Sequence, residues 1–166
     1  MIVSRRLLAA MIAWTAAAPG ARPAAQVSTT TLSASVSTAA KLNLSTASVS
    51  FPDADPDIVP QIPTVGGPVL ITAKSRANPG MQVVLTVQAA DDLRSGVSLI
   101  PASNITWTAS GAGFVAGTLS KLAPVTVATW VGSGVRTGTQ QLYLRNLWTH
   151  PTGTYTVSLL YTLSAP

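Results

Sequence analysis

The chain alternates apolar and polar residues most cleanly near its C-terminal end. Tyr155, Val157, Leu159, Tyr161 and Leu163 fall on every second position; Thr154, Thr156, Ser158 and Thr162 lie between them, with Leu160 the one exception. A period of two sends successive side chains to opposite faces of an extended backbone. The run therefore predicts a strand over 154–163 that has one buried and one wet face and closes the domain. Similar runs predict strands over 42–51, 69–75, 82–89, 105–109, 114–119, 125–131 and 140–148. Turn chemistry separates them: Asn78-Pro79-Gly80, the stretch 91–96, the glycine-rich Ser110-Gly-Ala-Gly113, Gly132-Ser-Gly134, His150-Pro-Thr-Gly153, and a proline-punctuated loop over 52–68. Eight or nine short strands with turn signals about every 8–12 residues predict an all-β fold, an antiparallel β-sandwich of immunoglobulin-like character. Past the first 25 residues no segment carries a helical period, and no repeat of about 20–50 residues is evident.

The N-terminal stretch reads differently. Arg5 and Arg6 precede an apolar run over 7–18, followed by small residues up to Ala25. That order is the pattern of a secretory signal peptide. A run of about 12 residues is too short for a bilayer, which takes about 20. Cleavage is expected between Ala18 and Gln26, with the bond after Ala25 preferred. The expected organisation is a signal peptide over 1–25, a Ser/Thr/Ala-rich extension or weak first strand over 26–40, and the sandwich over 41–166. In the extension Leu32, Ala34 and Val36 alternate with Ser and Thr. No later stretch is long and apolar enough to span a membrane, so the expected location is secreted, cell-surface or periplasmic.

Export changes the charge. The formal net charge is +5, but Arg5, Arg6 and Arg22 leave with the leader, and seven basic side chains then face five acidic ones, a net of +2. The remaining bases are scattered along the sequence, which argues against a nucleic-acid footprint. Cysteine is absent. About 140 residues can bury a sufficient core without disulfides, and export without cysteine points to a bacterial protein. Charged residues make up only 9% of the chain, so Thr, Ser, Gln and Asn must cover the surface, and weak charge repulsion favours association.

Candidate chemistry is sparse. The chain has one histidine, His150, and no glutamate. No G-x-S-x-G elbow presents a serine nucleophile, and the His and Cys ligands of a zinc site are missing. The composition argues for a non-catalytic protein without a cofactor. Gly111-Ala-Gly113-Phe-Val-Ala116 matches a loose dinucleotide pattern, but a strand rather than a helix is expected after it and no acid follows Asp92. Asp53, Asp55 and Asp57 form the one cluster of ligand-type residues. Carboxylates at alternate loop positions suit a hard cation, so a Ca²⁺ site on these three is one reading. The other is an acidic turn in which each Asp caps backbone N–H groups, and the missing EF-hand glycine and glutamate favour it. Trp107, Trp130 and Trp148 fall on expected strands, where tryptophan is more often core than carbohydrate platform. Asn43-Leu-Ser45 and Asn104-Ile-Thr106 are formal glycosylation sequons, without meaning in a bacterial host.

The ending Gly153-Thr-Tyr155, then Tyr161-Thr-Leu163-Ser-Ala-Pro166, resembles the C-terminus of WxL-domain surface proteins, exported bacterial β-rich modules that attach non-covalently to the cell wall. Tyr161 stands at the tryptophan of their last W-x-L motif and Leu163 at its leucine; Trp107-Thr-Ala109 is the nearest counterpart of the other motif. The resemblance covers about a dozen residues and implies binding to a cell-wall polysaccharide or surface protein. The chain also looks like pilin-type subunits, in which a segment such as 27–40 would donate a strand to a neighbour, so self-association is the alternative.

Overall fold

The computed structural model describes residues 30–166. The expected leader and its cleavage interval lie outside the described residues. The chain divides into two units between Ala34 and Ser35, and of the first only residues 30–34 are described. In the first, residues 30–34 carry no regular secondary structure and are exposed.

The second unit is all-β. Its strands are β1 (Ala39–Leu44), β2 (Gln61–Pro63), β3 (Val69–Arg76), β4 (Gln82–Ala89), β5 (Leu93–Ser95), β6 (Ser98–Ile100), β7 (Ile105–Ser110), β8 (Gly117–Thr118), β9 (Val125–Val131), β10 (Gly134–Arg145) and β11 (Leu159–Ser164). The larger sheet has the order β1-β3-β10-β7-β8, with β2 also paired to β10; the smaller is β11-β4-β9; β5 and β6 form a separate hairpin. All pairings are antiparallel.

Alternation builds the core between the two sheets. On β3 the side chains of Val69, Ile71, Ala73 and Ser75 are buried and those between them turn outward. On β4 the buried row is Val83, Leu85, Val87 and Ala89. Leu119, Val127 and Leu142 fill the space between. Each buried Val, Leu or Ile among them stabilises the fold by roughly 1.5–3 kcal/mol through removal from water. Trp107 and Trp130 belong to this core, as their strand positions predict. The Trp107 indole N–H donates to Val115 O at 2.9 Å, and that of Trp130 to Ser75 Oγ at 3.2 Å, so neither buries an unpaired donor. Gly117 lies flat on the Trp107 ring, where an added Cβ would come within 2.5 Å of a ring carbon.

Differences from the sequence expectation have local causes. The expected strand over 42–51 starts earlier and stops at Leu44. Ser45 takes the last ladder bond to Leu70 O, but its own hydroxyl then accepts from Leu70 N–H, and Thr46 bonds Ser48 to bend the chain away. β10 ends at Arg145 rather than Trp148. The Asn146 side chain donates to Ala54 O and Val59 O, which draws the backbone out of the sheet. The expected turn over 91–96 is the β5–β6 hairpin, turned at Gly96 with φ +59°. The expected strand over 114–119 shrinks to β8 because its first half crosses to the other sheet, bridging Phe114 to Ala128.

Candidate functional site

The two long sides of the sandwich are unlike. On one, residues 113–118 close the gap between the sheets. β8 pairs with β7 in the larger sheet, while Val115 N–H donates to Val127 O and Thr129 N–H to Gly113 O, both at 2.9 Å, on the smaller sheet's β9. On the other side β1 ends the larger sheet and β11 ends the smaller one. The two strands lie near each other but are not paired.

Register identifies the free backbone groups. Ala90 N–H donates to Ser158 O, in register with the pairing of Leu159 and Ala89. Residues 158, 160 and 162 therefore face β4, and the N–H and C=O groups of Leu159, Tyr161 and Leu163 face away from it. Their side chains point into the sandwich. By the same logic, the bond from Ser45 N–H to Leu70 O turns the backbone groups of Ala40, Leu42 and Leu44 away from β3. Among the described residues no backbone group pairs with either outer edge.

Between these edges the core is incompletely covered. Of the expected strand over 154–163 only the part from Leu159 on forms as β11, because the residues before it form only the isolated Thr156–Arg94 bridge. Tyr155, Val157, Leu159, Tyr161 and Leu163 still form the expected inward row, but each is half-buried rather than buried. Tyr155, Val157, Leu159 and Tyr161 line one wall of a cleft of about 1380 Å³ whose other wall includes Leu44, Val49, Phe51 and Leu144. At its inner end Tyr161 donates its hydroxyl to Gln140 Oε1 at 2.6 Å, and burial pushes the tyrosine pKa up to about 12. Gln140 is fully buried and its Nε2 has no partner. Nothing in the sequence marks Gln140 as special except that a polar residue stands at an inward position of a strand.

Polar groups gather at the cleft mouth. His150 and Asn104 meet at 3.1 Å through Nε2 and Nδ2. The amide donates there, so Nε2 is the acceptor of a neutral ring. Burial, and secondarily the Arg145 charge, hold the imidazole pKa below its usual value. The ring bonds an amide rather than a serine or a carboxylate. Trp148 is 69% exposed, and its indole donates to Asp57 Oδ1 at 3.1 Å.

The three aspartates of the acidic loop do not converge. Asp55 organises a turn: its Oδ1 accepts Asp57 N–H at 2.9 Å and its carbonyl accepts Ile58 and Val59 N–H. Asp57 is turned toward Trp148. Among the described residues no group of three or more His, Cys, Asp or Glu side chains is placed to hold a metal ion.

A charged cluster that the sequence reading did not single out lies beside β5. Asp91 pairs with Arg94 at 2.7 Å, and Asp92 pairs with Lys121 while accepting Ala102 N–H at 3.0 Å. The Asp92 N–H and the Arg94 side chain lower the Asp91 pKa; Lys121 and the Ala102 N–H lower that of Asp92. These bonds fasten the hairpin to the loops around it and leave the ligand-type groups satisfied.

Of the residues that carry the WxL resemblance, Tyr161 and Leu163 face the interior and Trp107 is core. No helix among the described residues is long and apolar enough to cross a membrane. No protein-family model matches this chain, and no curated protein matches it.

Proposed function

We propose that this is an exported, non-catalytic envelope protein that assembles with copies of itself by strand exchange. The observation that carries the reading is the open seam: two unpaired strand edges flanking a cleft lined by half-buried apolar side chains. A strand laid there would take up the free N–H and C=O groups of β1 or β11 and cover the inward row. The chain carries a suitable donor in residues 30–38, which are exposed, without regular structure, and alternate Leu32, Ala34 and Val36 with Ser and Thr.

The chain has no cysteine, so engineered thiols report cleanly. Copies carrying Val36→Cys, mixed with copies carrying Leu159→Cys, should form a disulfide-linked heterodimer under mild oxidation. Copies carrying the exposed Leu122→Cys should not pair with Val36→Cys at a comparable rate. Equal crosslinking to both partners would refute strand exchange at the seam. A second reading, binding of a surface polymer, is favoured by Trp148, whose exposed indole at the cleft mouth offers a stacking face for a sugar ring.

A further inference from the structure

The outer face of the larger sheet has an unusual charge pattern. Lys41 on β1 and Lys74 on β3 are cross-strand partners in register, and both are exposed on that outer face. Arg76 follows two residues on, opposite Ala39. Like charges directly opposite each other on a sheet destabilise it. No carboxylate relieves them. The ion pairs among the described residues involve only Asp91, Asp92, Arg94 and Lys121, and no strand of the larger sheet contains an acidic residue. Next to the lysines the same face carries Val135, opposite Lys74, and then a row of neutral hydrogen-bonding groups. Asn43 opposes Thr72, which opposes Thr137; Thr139 opposes Ser110, and its hydroxyl donates to Ser110 Oγ at 3.2 Å.

We infer that this face binds an anionic polysaccharide, with Lys41, Lys74 and Arg76 pairing its acidic groups and the Asn43–Thr72–Thr137 row bonding its sugar hydroxyls. The inference goes beyond both readings above, since none of these residues lines the cleft that Trp148 borders. Charge complementarity selects an anion. The hydroxyl and amide row beside the amines suits a glycan, and the positions of β1 and β3 on this face hold no aromatic side chain on which a nucleic-acid base would stack.

The test uses the full chain and immobilised polygalacturonate, neutral dextran and single-stranded DNA. Polygalacturonate should bind the parent protein, more weakly as salt rises. Lys41→Gln/Lys74→Gln should bind about tenfold more weakly, the sum of two exposed ion pairs. Arg94→Gln/Lys121→Gln removes the same net charge elsewhere and should leave binding unchanged. Without polymer, Lys41→Gln alone should melt at a slightly higher temperature than the parent, because it relieves the like-charge pair. Equal losses in the two double variants, or DNA bound as tightly as polygalacturonate, would overturn the inference as mere net-charge attraction. Dextran binding that disappears in Trp148→Ala, with no effect of the lysine changes on polygalacturonate, would overturn it while leaving polymer binding intact.

Discussion

The Tyr161 hydroxyl donates to Gln140 Oε1 at 2.6 Å and ties the edge strand of the smaller sheet to the middle of the larger one. Each partner makes the other tolerable. Without the hydroxyl, the fully buried Gln140 amide would have neither end satisfied by a side chain. Tyr161→Phe should therefore destabilise the fold by about 1–3 kcal/mol, the cost of an unsatisfied buried polar group. The double variant Tyr161→Phe/Gln140→Leu should recover most of that loss. Urea unfolding of the three variants and the parent checks this, and additive losses would show that the two side chains are not coupled.

The same pair sets an alkaline limit. A tyrosine whose folded pKa is raised to about 12 holds its proton more tightly folded than unfolded, where the pKa is about 10. Its contribution to stability is complete below about pH 10 and falls as pH rises toward 12. Melting temperatures from pH 9 to 12 should decline more steeply for the parent than for Tyr161→Phe.

His150 behaves in the opposite sense. Its folded pKa is lowered, mainly by burial, so the unfolded chain binds the proton more readily. Stability should be complete above the unfolded value of about 6.5 and decline as pH falls through the folded pKa. As His150 is the chain's one histidine, an NMR titration assigns without ambiguity. Its midpoint should lie below about 6.5 and move up in Arg145→Gln, which removes the secondary cause.

Coverage of the seam decides how much each apolar residue contributes. Leu85, fully buried on β4, should cost about 2–5 kcal/mol on replacement by Ala. Leu159 lies half-buried on β11, so Leu159→Ala should cost clearly less, about 1–2.5 kcal/mol in the monomer, half the value of a fully buried leucine. Thr156→Ala, on the exposed face, should stay within about 0.5 kcal/mol. Denaturant unfolding ranks the three. A Leu159→Ala loss as large as that of Leu85→Ala would mean that the seam is already closed.

Gly117→Ala probes close packing rather than burial. The new methyl would meet the Trp107 ring at a distance the backbone must relieve, and a loss of about 1–3 kcal/mol is expected for such overpacking. A shift in tryptophan emission, to which Trp107 contributes together with Trp130 and Trp148, should accompany it. An unchanged spectrum and stability would show that the β7–β8 edge yields freely.

Much of the fold was legible because alternation is a local signal. β4 and β9 match the expected ranges residue for residue, and β3 and β7 differ by one residue each. Strands of three residues, such as β2, β5 and β6, are too short to display a period. Leu44 and Arg145 end their strands through side-chain bonds made by Ser45, Thr46 and Asn146, which no periodicity encodes. The site was less legible. Each of the five alternating side chains of the last run was correctly oriented inward, but whether a second layer covers such a row depends on how the sheets' other edge strands are placed. Lys41 and Lys74 look scattered in the sequence; register alone makes them neighbours. Trp148 looked like a strand residue until Asn146 turned the chain.

β10 has a consequence for timing. Its twelve residues hold together β3 and β2 on one side and β7 on the other, so the larger sheet is a set of separate pieces until β10 arrives. A nascent chain has no large sheet to form until Arg145 has emerged, and its pairings with β2 and β3 span long stretches of sequence. Such topologies fold slowly, in about milliseconds to seconds. Of the eleven described strands, the one that locks the larger sheet is made last but one, so the pieces it joins must wait for it unpaired to each other.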